Sequence, residues 1–150
     1  ATLQAKVPGK RWKPVRSTSD VTFSDFGGYG HKAKGNVEYR VHYSGDGTYS
    51  ATNSNVVVVT TLWKVKDTSA CPVGRCHISG KLTPTAKHKK LIVQIKEGHW
   101  KTFRVLHTSA RSKYKVGVAT RHGKPTKYRL LIPGTKNLTG VKIPYEVHRV

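Results

Sequence analysis

One order of residues occurs twice in this chain, and it limits the folds open to it. The first copy runs Leu3-Gln4, a turn at Pro8-Gly9, Arg11-Trp12-Lys13 and Arg16, then Tyr39-Arg40-Val41 and the turn Ser44-Gly45-Asp46. The second runs Val93-Gln94, a turn at Glu97-Gly98, His99-Trp100-Lys101 and Arg104, then Tyr128-Arg129-Leu130 and the turn Pro133-Gly134. Trp and Tyr are 27 residues apart in the first copy and 28 in the second, and Arg precedes the turn Gly by 5 in both. Such a repeat predicts one supersecondary unit built twice. Each copy is short, so each buries a modest core and benefits from a staple or a partner.

The local pattern is that of strands. Leu3, Ala5 and Val7 alternate with Thr2, Gln4 and Lys6, which predicts a half-buried strand turned by Pro8-Gly9. A second strand is expected over 11–18, with Trp12 and Val15 supplying bulk. A stretch through Val21, Phe23 and Phe26 follows, broken by Gly27, Gly28 and Gly30. Tyr39, Val41 and Tyr43 alternate with Arg40 and His42, and Val56–Val59 is expected as a buried β-branched strand. In the second copy, strands are expected at 78–83, over Leu91, Val93 and Ile95, and over 100–108 with Phe103 and Val105 inward. Others are expected over Tyr114, Val116 and Val118, over Tyr128, Leu130 and Ile132, and over 141–148. Nowhere do apolar residues keep helical spacing. Short strands with turns every ~8–12 residues predict Greek-key sandwiches.

Three segments are therefore expected: domain 1 over 1–62, a linker over 63–77, and domain 2 over 78–150. The first copy has no counterpart of the strand at 78–83. Its sheet edge is then open to pairing, because a strand has been cut away, another segment fills the slot, or a partner donates one. Cys71 and Cys76, the only cysteines, enclose Pro72-Val73-Gly74-Arg75 in the linker. A disulfide ring in an oxidising compartment is favoured. Zinc would need further ligands beside His77, and a redox pair prefers two intervening residues.

Val93-Gln94, Gly98-His99-Trp100-Lys101, Tyr128-Arg129 and Pro133-Gly134, preceded by Ile78-Ser79-Gly80, resemble the bacterial Ig-like repeat of secreted actinobacterial proteins. Leu3-Gln4, Arg11-Trp12-Lys13 and Tyr39-Arg40-Val41 resemble the same repeat without its opening strand. The resemblance implies an all-β chain of two tandem Ig-like β-sandwich domains. It also implies spacers or binding modules of exported proteins, with no catalytic residues to carry over.

Charge narrows the partners. The chain holds 28 Lys and Arg against 7 Asp and Glu, a formal net charge of +21. Residues 1–60 carry 8 against 4, whereas residues 78–150 carry 17 against 2. Such an excess draws anionic partners: nucleic acid, acidic glycan, wall glycopolymer or anionic membrane. No stretch is apolar for the ~18 residues that a spanning helix needs. The opening at Ala1 reads as a mature secreted product or a trimmed fragment, so an extracellular or wall-associated location is expected.

Catalysis finds little support. The carboxylates are scattered and no Gly-x-Ser-x-Gly elbow occurs. Ser112-Lys113-Tyr114-Lys115 fits Ser-x-x-Lys but lies on an expected strand without companion motifs. The eight His show no metal spacing, and no metal or cofactor is expected. The basic turns are the lead. Alternate turns share one end of a sandwich, so Lys87, His88, Lys89 and Lys90 should meet Arg111 and Lys113, with Lys136 from the loop at 133–140. Arg121, His122 and Lys124 are expected at the other end with His99. Few aromatics lie among these residues, so a polyanion held by charge is favoured over stacked bases. The expected function is non-enzymatic attachment to an anionic polymer or acidic protein through the basic second domain. The alternatives are a cationic antimicrobial or toxin component, and an enzyme inhibitor that inserts the Cys71–Cys76 ring.

Overall fold

The computed structural model describes residues 1–17, 33–72, 75–120 and 124–148. These form twelve strands and no helix. Among them no helix is long and apolar enough to cross a membrane. The chain divides into two compact units, residues 1–61 with 135–139 and residues 62–134 with 140–150.

The second unit contains two antiparallel sheets, the layout of a β-sandwich. One sheet has the order β10-β7-β6, built from Lys113–Val118, Cys76–Thr83 and Lys64–Asp67. The other has the order β12-β11-β8-β9, built from Val141–Val147, Thr126–Ile132, Lys90–Glu97 and His99–His107. The alternating apolar residues supply the core: Ile78, Leu82, Leu91, Val93, Tyr128, Leu130 and Ile132 are all essentially inaccessible. β10 alternates strictly, with Tyr114, Val116 and Val118 buried and Lys113, Lys115 and Gly117 exposed. Gly80 must be glycine because a Cβ there would lie 2.6 Å from the Tyr114 hydroxyl and 2.7 Å from the Lys66 carbonyl oxygen.

The first unit is simpler. Its described strands form one sheet in which β2 (Lys13–Ser17), β1 (Thr2–Lys6) and β3 (Val37–Tyr43) are neighbours. The far edge of β3 pairs with β4 (Thr52–Asn53) and β5 (Val57–Val59). The repeat places β1, β2 and β3 in register with β8, β9 and β11, and the strand order β2-β1-β3-β5 matches β9-β8-β11-β12. The first unit therefore shows the four-stranded layer of the second. The expected stretch through Val21, Phe23 and Phe26 lies outside the described residues. Segment 135–139 joins this unit, where Asn36 N donates to Asn137 O at 2.7 Å and Thr139 N to Thr61 O at 2.9 Å.

Three expectations change. Residues 63–77 do not merely link: Lys64–Asp67 forms β6, paired along β7 from Thr83 to Gly80. Val57, Val58 and Val59 are 60%, 65% and 36% exposed, not buried. A run of valines satisfies a core strand and an edge strand equally, and among the described residues β5 pairs with β3 alone. Val105 points outward, 46% exposed. A bulge opposite Val93/Gln94 inserts a residue in β9, so Val105 pairs with Ile92 while Leu106 pairs with buried Leu91. Phe103 remains inward, edge-on to Tyr128 at 5.4 Å.

The Cys71–Cys76 disulfide is formed. It sits at the start of β7, where Ala70 and His77 exchange backbone bonds at 3.1 and 2.8 Å. The turn glycines of both copies, Gly9 and Gly98, have φ of 75° and 72°, a backbone region that glycine enters without penalty.

Candidate anion-binding faces

The repeat's most constant residues build the same cluster in each unit. Arg40 Nε donates to Gln4 Oε1 at 2.9 Å, and its guanidinium lies 4.4 Å from the Trp12 ring centre. Arg129 Nε donates to Gln94 Oε1 at 2.7 Å, and its guanidinium lies 4.3 Å from Trp100. Gln and Arg face each other across β1–β3 and across β8–β11. Each cluster ties Gln, Arg and Trp together on one face of the sheet by stacking and a charge-assisted bond.

Beside this shared cluster the two units differ in charge. Lys6 pairs with Glu38 at 2.7 Å in the first. By register, the equivalent positions in the second are Lys96 and Lys127. The β8–β11 pairing ends at Tyr128 and Ile95, and Lys127 and Lys96 are the next residues along each strand, on the outer face. Where the first unit sets Lys6 opposite Glu38, the second has lysine at both positions. Glu146 faces Lys127 from β12, and its carboxylate lies 3.7 Å from His148. Arg129 and Lys142 belong to the same outer face, with Leu131 and Ile92 between.

The opposite sheet carries a longer cationic row. Lys113 faces Lys81 across β10–β7, and Lys81 faces Lys66 across β7–β6. Directly opposed residues share a face with Cβ atoms about 5 Å apart, so three lysine side chains leave the sheet in one line whose roots span about 10 Å. Lys115 and Lys64 lie two residues along their strands on the same face, and all five lysines are exposed. None of them forms an ion pair among the described residues. The row borders a cleft of about 630 Å³ whose polar lining includes Ser79, Thr68, Ser109 and His107. Asp67, the nearest carboxylate in sequence, accepts bonds from Ser69 instead. Burial pushes the Tyr114 phenol at the base of the cleft well above its usual value, so it remains neutral and adds no negative charge.

The basic turns are partly assembled as expected. The 84–90 turn meets the 108–113 turn: Ala86 N donates to Ser112 Oγ at 2.8 Å, and Lys89 N to Thr108 Oγ1 at 2.9 Å. Lys87, His88, Lys90 and Arg111 are exposed there, and Lys113 opens the lysine row. Lys89 is half-buried, its ammonium 5.6 Å from the Trp63 ring centre and 3.4 Å from the Gly134 carbonyl. Lys136 lies in the segment 135–139. It belongs to the first unit, where its ammonium lies against Gly9. Ser112, which opens the Ser-x-x-Lys pattern, is 1% exposed and its hydroxyl accepts from the Ala86 amide. Arg121 and His122 lie outside the described residues.

The lysine row is not visible in the sequence alone. Alternation shows that Lys64 and Lys66, or Lys113 and Lys115, share a face of their own strand. It does not show that β6 and β10 flank β7. No known protein family, curated protein or solved structure matches the chain.

Proposed function

We propose that the protein is a non-enzymatic, exported attachment module that holds an anionic polymer on its second unit. The observation that carries this reading is the row Lys113–Lys81–Lys66, three like charges set directly opposite one another without a carboxylate among them. Like charges in opposed positions destabilise a sheet. An arrangement that costs stability alone gains from a ligand that bridges the row, and a polymer with closely spaced anionic groups neutralises several lysines at once. The exposed turn residues Lys87, His88, Lys90 and Arg111 extend the surface at one end.

The Ig-like reading of the second unit draws support from two features. The strand orders β10-β7-β6 and β12-β11-β8-β9 match the A–B–E and G–F–C grouping of Ig sandwiches. The Tyr128 hydroxyl donates to the Ala119 carbonyl at 2.9 Å, as does the corner tyrosine of such domains.

The test is retention on an anionic matrix. Replacing Lys66, Lys81 and Lys113 by Gln should lower the eluting salt concentration clearly more than replacing Lys10, Lys13 and Lys34 of the first unit. Equal losses would show that net charge alone governs attachment and would remove the site.

A further inference from the structure

Both outer faces of the second unit are cationic, and they point in opposite directions. One bears Lys64, Lys66, Lys81, Lys113 and Lys115 on β6, β7 and β10. The other bears Lys96 and Lys127, with Arg129 stacked on Trp100 and Lys142 beyond. Sheets in a sandwich lie about 10 Å apart, so ammonium groups on the two faces are separated by about 20 Å. That exceeds the Debye length of about 8 Å at physiological salt. Charge neutralised on one face is therefore scarcely felt on the other. A linear polyanion seated on the lysine row leaves the Lys96–Lys127 face free to attract another.

The first unit supplies an internal control for the second face. There the position of Lys127 is occupied by Glu38, whose carboxylate satisfies Lys6. At this position the second unit has lysine in place of the anion Glu38. Glu146 approaches Lys127 from one side only, and a single carboxylate cannot balance Lys96, Lys127, Arg129 and Lys142 together.

We infer that the second unit is bivalent: it clamps two polyanion chains, one on each sheet, and so cross-links the polymer it binds. This rests on the attachment reading above, and adds that attachment occurs through two independent faces. The partner is defined by its chemistry, a flexible linear chain with closely spaced phosphate, sulfate or carboxylate groups.

The test uses the full chain and inorganic polyphosphate of one short defined length, divided into donor-labelled and acceptor-labelled pools. Wild type should bind two chains per protein and produce energy transfer between the pools. Two variants, Lys66→Gln/Lys81→Gln/Lys113→Gln and Lys96→Gln/Lys127→Gln, should each bind one chain and lose the transfer. These substitutions are of exposed side chains, and circular dichroism verifies that both variants fold. A wild-type stoichiometry of one chain, or transfer undiminished in both variants, would overturn bivalency while leaving attachment intact. Absence of any polyphosphate or dextran sulfate binding by wild type would overturn both.

Discussion

Lys81 stands between two lysines, so reversing its charge should make the protein more stable and worse at binding. In Lys81→Glu, the repulsive pairs with Lys66 and Lys113 both become attractive. Directly opposed charges on a sheet are worth roughly 0.2–1 kcal/mol per pair, and exposure keeps such values near the lower half of that range. Two pairs that change sign then contribute about 1 kcal/mol at low salt. For a unit of this size that raises the melting temperature by about 4–8 °C. Lys81→Gln removes repulsion without adding attraction and should give about half the gain. In 1 M salt the Debye length falls to about 3 Å, and both gains should largely vanish. The assay is thermal unfolding by circular dichroism of wild type and the two variants at low and high salt, run beside retention on an anionic matrix. A destabilised Lys81→Glu, or a gain that ignores salt, would show that the row carries no electrostatic strain and would refute the reasoning.

Other expectations follow from single contacts. Gly80→Ala should cost about 1–3 kcal/mol in denaturant unfolding, because its Cβ meets Tyr114 and the Lys66 backbone. Tyr128→Phe should cost about 1 kcal/mol through loss of the bond to Ala119, with the lysine faces still binding. Reducing Cys71–Cys76 should lower stability by about 2 kcal/mol, as expected for so short a ring, without lowering polyanion affinity; a large affinity loss would assign the ring to the site. The Asp46 carboxyl is held below its usual value by the Tyr43 hydroxyl and then by the Tyr49 and Thr48 amides. The order it lends the 46–49 turn is therefore complete above the carboxyl's unfolded pKa. It is lost as pH falls through the depressed folded value, which amide shifts of Thr48 and Tyr49 in an acid titration will report.

Much of the strand framework was legible because its chemistry is local. Alternation of Tyr114, Val116 and Val118 marked β10, and Pro8-Gly9 and Glu97-Gly98 marked the two equivalent turns. The Gln–Trp–Arg repeat pointed to duplication, although only the structure shows why those three residue types recur together. What escaped depends on register between strands remote in sequence. Lys66, Lys81 and Lys113 become neighbours only when β6 and β10 flank β7. Val105 turned outward because one bulged residue in β9 shifted the alternation. Val56–Val59 was misread because branched apolar side chains report strand propensity and say nothing about what covers the strand.

The charge pattern of the edges has a further consequence. β2 and β12 carry Pro14 and Pro144, and β6, β9 and β10 carry lysine or arginine, devices that keep strangers from adding a strand. β5 has none, and residues 54–62 contain no charged side chain at all. Mutual repulsion of molecules bearing +21 opposes the pairing of two copies there. Concentrated salt, or a counter-polymer that cancels this charge, removes the barrier while leaving the sticky seam in place. Storage and crystallisation conditions rich in salt are accordingly where ordered self-assembly should begin, with Val57–Val59 as its first rung.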